Sequence, residues 1–417
     1  MQNLFKFAIL PMMVSGGALL WGSSAAVNAA TFVNLGNAAG AQCATNGVND
    51  SGQSVGNCSQ DDPSANGEPW YAASTAGPQQ ILPSLVANQP CAVGAIANNG
   101  SLLGSCADAS GINFAVTWSA ATPSGAPTKL TPLPATFLIP LLRPADVRTA
   151  ATAQNQQGAV LGLSISGASA VTVVLYMPGI ATPLRISGWG DMCQGAVVNN
   201  TAINGYPSLL LNCPVNGKPV ARVATRGASA YSITDLPLAS GATACWGVGM
   251  NDLNQVVGTC TFPTTPHHSS KAAFWPSPTS APRLLTLPLG ANNTGVAVNN
   301  AGRVLARGMA PTGFTTDFFW ADTTTSFGVR PIAFLPGSVS TRAFSLAEND
   351  TVAMDCTNSN EYATACTWDP INATVPIPPL SGGLQSALSS ISFSGTYVAG
   401  VANDGAQDDI AVVAPLP

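Results

Sequence analysis

Three stretches of this chain begin and end on cysteine, fifteen positions apart. They are CATNGVNDSGQSVGNC from Cys43 to Cys58, CAVGAIANNGSLLGSC from Cys91 to Cys106, and CWGVGMNDLNQVVGTC from Cys245 to Cys260. Each has a turn sequence near its midpoint. Asn and Gly tolerate the positive φ that a tight hairpin needs. Each stretch is therefore read as two antiparallel strands with the cysteines face to face. Directly opposed Cα atoms lie roughly 4.5–5.5 Å apart, inside the disulfide range of about 4.4–6.8 Å.

Aligning the Asn-x-x-Gly turns extends the pattern to eight units, starting near residues 43, 91, 149, 193, 245, 293, 343 and 388. Units three and four are the most divergent. The order within a unit is constant. An alternating segment ends in the turn, and a β-rich segment such as QSVG, SLLG or QVVG follows. After a polar loop comes a short aromatic strand (EPWY, AVTW, AAFW, DFFW, ACTW), then a strand rich in Leu and Pro (KLTPLP, LLTLP, IAFLP). Four short strands in about 48 residues mark a propeller blade. The expected fold is all-β: a propeller of eight four-stranded blades occupying residues 31–417. The eighth unit stops at its third strand, IAVVAPLP, and TFVNLG from Thr31 supplies the fourth. The N-terminal strand is thus expected to complete the last blade and remove the free sheet edge.

The repeat also selects the cysteine pairing. Besides Cys43–Cys58, Cys91–Cys106 and Cys245–Cys260, it pairs Cys193 with Cys213 around a longer loop. In the seventh unit Cys356 meets Ala343 where its partner is expected, so Cys366 on the third strand becomes the substitute. Redox or metal chemistry would favour closely spaced CxxC pairs, which the chain lacks. Ten paired cysteines point to an oxidising compartment.

The first thirty residues read as a secretory leader: Lys6, an apolar core FAILPMMVSGGALLWG, then small residues up to Ala29 and Ala30. A retained anchor is the alternative. After residue 30 no apolar run reaches the roughly 20 residues of a membrane helix. Removing the leader takes the net charge from −5 to −6. Only 8% of residues are charged, against roughly 25% in ordinary soluble proteins. The scattered basic residues form no patch for nucleic acid.

The turn with Asn and Gly, then NDLNQVVG, KAAFW and LLTLP, resembles the bacterial extracellular repeats named for a His-Ala-Phe signature. The likeness covers essentially the whole mature chain. Ala272 stands where that signature has its His, before Ala273, Phe274 and Trp275. The resemblance implies export and a propeller-like fold, and it lends no catalytic residues.

Function is expected on the variable loops between second and third strands. Ring closure would bring Asp404, Asp408 and Asp409 of the last such loop beside Asp61, Asp62 and Glu68 of the first. Together they could supply the 6–8 oxygen ligands of a Ca²⁺ ion. Solvated, mutually repelling loops are the plainer reading. His267 and His268 read as a solvated loop. Trp70, Trp118, Trp275, Trp320 and Trp368 share one strand position and read as packing between blades. Trp189 and Trp246 lie off that register and are the candidates for an aromatic ligand contact. An inserted crossing, residues 136–150, places Arg143 and Arg148 around Asp146. The expected function is an exported, non-enzymatic module that binds a glycan, a surface polymer or a protein. The alternatives are a structural part of the cell surface or a secreted assembly, and a polysaccharide hydrolase or lyase.

Overall fold

The computed structural model describes residues 30–36, 41–60, 68–138, 141–263, 269–285, 292–309, 315–324 and 329–417. Residues 1–29 of the leader, Asp61, Asp62, His267 and His268 lie outside these residues. No helix occurs among them. None is therefore long and apolar enough to cross a membrane.

Eight four-stranded antiparallel sheets follow one another along the chain. Their first, innermost strands are Ala41–Val48, Cys91–Ile96, Arg148–Gln154, Gln194–Ile203, Ala244–Met250, Asn293–Val298, Ser338–Leu346 and Ser386–Ile391. Blades 4 and 5 are further joined by one parallel pairing, Val220 with Cys245. The inserted crossing forms a two-stranded hairpin, Thr136–Leu138 with Leu141–Arg143. In blade 8, Ser386–Ile391, Tyr397–Asn403 and Asp409–Pro415 are followed outward by Val33–Asn34 from the other end of the chain. Val33 pairs with Val413 and Asn34 with Val412. The chain is a β-propeller closed by its N-terminal strand.

The core is divided among the blade interfaces. Eight buried clusters are present among the described residues, one at each junction. The repeated tryptophans sit in them: Trp70, Trp118, Trp275, Trp320 and Trp368 are all buried. The Leu-Pro strand serves these rings too. Trp118 Nε1 donates to the Pro83 carbonyl of the preceding blade at 2.9 Å, and Trp275 Nε1 to that of Pro237 at 2.8 Å. An indole N–H in a core needs such an acceptor.

Four disulfides join directly opposed residues of first and second strands: Cys43–Cys58, Cys91–Cys106, Cys193–Cys213 and Cys245–Cys260, with Cα–Cα distances of 4.0–4.1 Å. The fifth, Cys356–Cys366, runs diagonally between second and third strands, with Cα atoms 6.0 Å apart. One detail differs from the sequence reading. The residue opposite Cys356 is Thr341, while Ala343 lies opposite Met354. The fifteen-residue spacing of the other pairs, counted back from Cys356, leads to Thr341; Ala343 is two residues nearer the turn.

That extra residue recurs in every blade. Asn46, Gly94, Thr152, Ala196, Val248, Val296, Phe344 and Ser389 are bulged out of register at one equivalent position. A bulge bends its strand and increases its twist. Eight of them on the strands around the axis give each blade the same bend toward its turn.

Candidate functional site: the central channel

The innermost strands wall a central channel. At the end formed by the first-to-second turns it holds a cavity of about 330 Å³, lined by residues from all eight blades. This is the opposite end from the second-to-third loops, because successive connections of an antiparallel meander alternate between ends.

The turn chemistry makes this mouth. The first Asn of the turn is buried in five blades: Asn49, Asn155, Asn199, Asn251 and Asn299. Its side-chain oxygen holds its own blade. Asn251 Oδ1, for instance, accepts from Leu253 N at 3.1 Å and Gln255 N at 2.9 Å. Its amide donates to the next blade: Asn155 to Asn199 O at 2.8 Å, Asn251 to Asn299 O at 2.8 Å, and Asn299 to Asp350 Oδ1 at 2.8 Å.

The second turn residue completes a ring. The backbone N–H of Asp50 donates to Asn98 Oδ1 at 2.9 Å, that of Asn98 to Gln156 Oε1 at 3.1 Å, and that of Gln156 to Asn200 Oδ1 at 2.9 Å. Asn200 N donates to Asp252 Oδ1 at 2.6 Å, Asp252 N to Asn300 Oδ1 at 2.7 Å, and Asn300 N to Glu348 Oε2 at 2.9 Å. In blade 8 the equivalent residue is Phe393, so its carbonyl accepts from Glu348 N at 3.0 Å. Ser394 then closes the circle onto Asp50 Oδ1, by its N–H at 2.7 Å and its hydroxyl at 2.8 Å. Every backbone donor of the ring points to the next blade, while the side-chain amides of Asn98 and Asn300 donate back to Asp50 and Asp252 at 2.6 and 2.9 Å. Buried backbone donors need partners, and here each blade supplies one to its neighbour.

Three carboxylates therefore stand at the channel mouth: Asp50, Asp252 and Glu348. They lie at the opposite end from the acidic second-to-third loops. Burial raises the carboxyl of Glu348 above its usual range, the Asn300 N–H lowers it, and the charge of Asp252 raises it again. Away from the mouth, burial also raises Asp317 against the pull of Arg307, and raises Asp355 against the Leu388 N–H. A group that binds its proton more tightly when folded contributes most below its unfolded pKa, near roughly 4. That contribution is lost as pH rises through the native value. Exposed Asp322 is shifted down by Thr324, but solvent screens it. The melting midpoint is thus expected to climb as pH falls from 7 toward about 4.5. A midpoint that drops steadily over that window would show that these three groups do not set the acid response.

Further along the innermost strands, one register position differs between two sets of four consecutive blades. Blades 8, 1, 2 and 3 place Ala387, Ala44, Ala92 and Ala150 there, opposite the second-strand residues. Blades 4 to 7 place Gln194, Trp246, Thr294 and Arg342. Gln194 and Arg342 are exposed and Trp246 is half-buried. Blades 8 and 1 to 3 carry only a methyl group at this position, while blades 4, 5 and 7 carry an amide, an aromatic ring and a guanidinium.

The other sequence candidates are placed as follows. Asp404 caps its own loop, accepting from Ala406 N at 2.8 Å and Asp408 N at 3.2 Å. Asp409 accepts from Asn403 at 2.7 Å. Asp408 and Asp409 are exposed, and Glu68 is half-buried on the third strand of blade 1. Among the described residues no group of three or more His, Cys, Asp or Glu could hold a metal ion. Trp189 is half-buried, with the guanidiniums of Arg143 and Arg185 at 3.6 and 4.7 Å from its ring centre. Arg143 also pairs with buried Asp146 at 2.7 Å.

No family model and no curated protein matches this chain. Solved structures do. TolB from Acinetobacter baumannii is 10% identical, with 78% of this chain and 79% of that one covered and a TM-score of 0.38. A lectin from Burkholderia pseudomallei is 14% identical, with coverage of 81% and 99% and a TM-score of 0.41. A post-proline cleaving enzyme from Rickettsia typhi is 12% identical, with coverage of 84% and 54% and a TM-score of 0.49. The chain thus spans about half the length of that enzyme. These likenesses concern the fold and say nothing of what this chain binds. They do correct one expectation, that the chain is no enzyme: peptidases stand among the similar structures, and the architecture alone does not separate binder from catalyst.

Proposed function

We propose that this chain is an exported β-propeller that binds an extracellular glycan in its central channel. The observation that supports it most is on the innermost strands, where blades 4, 5 and 7 carry Gln194, Trp246 and Arg342 at the register position that blades 8, 1, 2 and 3 fill with alanine. An aromatic face packs on sugar C–H groups, and amides and guanidiniums hydrogen-bond to hydroxyls. Five disulfides fit an oxidising, extracytoplasmic environment. The leader and the His-Ala-Phe resemblance support export in the same sense.

The experiment is affinity electrophoresis of the oxidised chain through gels containing soluble plant, fungal and bacterial polysaccharides. Retardation by at least one of them is expected. Trp246→Ala should weaken it by about tenfold, the equivalent of 1.4 kcal/mol, with the melting midpoint unchanged. Mobility that no polysaccharide alters would sink the reading. A second reading rests on Glu348, a carboxyl raised by burial beside Asp252, which is the pattern of an acid and base pair in glycoside hydrolysis. Assaying the retained polysaccharide for new reducing ends separates the two. Release that stops in Glu348→Gln would make the channel mouth catalytic.

A further inference from the structure

At five of the eight blade junctions a side chain clamps the backbone of the next innermost strand, always at the residue before the bulge. Asn57 exchanges two hydrogen bonds of 2.9 Å with Val93, and Asn212 two of 2.8 Å with Gly247. Thr259 accepts from Gly295 N at 3.3 Å, Asp317 from Ala343 N at 2.7 Å, and Asp355 from Leu388 N at 3.0 Å. Between blades 3 and 4 there is no clamp, but Leu161 packs tightly on Gly195. Between blades 8 and 1, Thr45 donates to Val412 O at 3.1 Å.

The junction of blades 2 and 3 has no clamp on Ala151, the residue before the bulge; its innermost strand is held further back by Thr149, whose hydroxyl accepts from Ala115 N at 3.0 Å and donates to Leu130 O at 3.1 Å. The residue at the clamp position is Ser105, which is exposed. A cleft of about 560 Å³ lies there, lined by residues of both blades. Its bulge residue is Gly94, and neither backbone nor space demands a glycine. Its φ is not positive, and a Cβ built on it would find its nearest neighbour, the Leu103 carbonyl, only at 3.9 Å. A side chain at Gly94 would simply project into open space.

The lining has mixed polarity: small apolar residues together with Ser105, Asn113, Thr152 and Gln154, and no ionisable side chain. Its volume lies within the range of small-molecule sites, about 300–1,000 Å³. A charged ligand entering it would lose water without gaining a counter-charge. A neutral ring with one apolar face and several hydroxyls would match both kinds of wall.

We infer that this cleft holds one uncharged sugar residue of the channel's ligand, an inference that rests on the glycan reading above. Calorimetric titration of the oxidised full chain tests it, with cellotriose, maltotriose and tri-N-acetylchitotriose as neutral probes and trigalacturonate as the charged one. At least one neutral trimer should bind with a Kd of about 1 mM or tighter, and trigalacturonate about tenfold more weakly. Gly94→Phe, which adds a ring at a residue lining both the cleft and the channel cavity, should weaken the neutral trimer by at least about tenfold. Ser105→Asn should do the same while keeping or raising the melting midpoint, since it installs the clamp of blades 1 and 4. Should Gly94→Phe fail to fold, Ser105→Asn and the neutral-to-charged comparison still decide. Neutral binding unchanged in the folded variants, or trigalacturonate binding tightest, would overturn the cleft and leave the glycan reading standing. No binding of any trimer, together with no gel retardation, would overturn both.

Discussion

Reducing the disulfides is expected to unfold this protein without heating. Four bridges close loops with sequence separations of 15 to 20, and the fifth one of 10. Each should contribute about 2–4 kcal/mol by constraining the unfolded chain. They lie in five different blades, so their effects should be nearly additive. The sum is of order 10 kcal/mol or more, against a typical total stability of about 5–15 kcal/mol. The readout is tryptophan fluorescence, because five of the rings are buried at blade junctions. A red shift on adding reductant at 25 °C is the expected result. Replacing Cys245 and Cys260 together by Ser should cost about 3 kcal/mol by itself. A reduced protein that keeps its fluorescence and its midpoint would mean that packing alone sustains the ring.

Removing residues 30–36 should be comparably severe. This segment buries Ala30, Phe32 and Leu35 against blades 7, 8 and 1. Losing a buried Phe and a buried Leu costs about 3–5 and 2–5 kcal/mol respectively. The deletion also exposes the backbone edge of Asp409–Pro415, whose Val412 and Val413 pair with the missing strand. An unpaired edge on so weakly charged a chain invites association. Size-exclusion chromatography should show oligomers or aggregate, and thermal melting a midpoint well below that of the parent. Phe32→Ala alone should lower the midpoint without changing the elution volume. A deletion variant that stays monomeric and melts like the parent would refute closure by this strand.

Much of this architecture is legible in the chain because the repeat displays it. The Asn-x-x-Gly turns mark eight units, the cysteine spacings mark opposed strands, and the unfinished last unit points to TFVNLG at the other end. What stays hidden depends on contacts between units. Asn251 reads as a turn residue, which it is, yet its amide holds Asn299 forty-eight residues away. Asp50, Asp252 and Glu348 read as ordinary turn acids, because nothing in one unit says that the preceding blade will donate a backbone N–H to them. The bulge is invisible for a related reason. One extra residue before a turn looks the same as a slightly longer strand, whereas the register of the seventh unit was legible, since the fifteen-residue spacing of the other pairs counts back from Cys356 to Thr341. The cleft at blades 2 and 3 shows in sequence only as Gly94 and Ser105, two small residues whose smallness acquires meaning once Asn57 and Asn212 are seen at the equivalent position.

The one-way ring at the channel mouth bears on how such a molecule can change over generations. Each blade gives a backbone N–H to the next and accepts one from the blade before, so along this backbone circuit no blade is first or last. Copying or losing one unit would leave every remaining donor opposite an acceptor, and only the wedge angle per blade would need to adjust. A chain broken between other blades and rejoined at its present ends would present the same links. Selection is thereby free to alter one sector of the wall, as between Ala92 and Trp246, while the closing of the circle is inherited unit by unit.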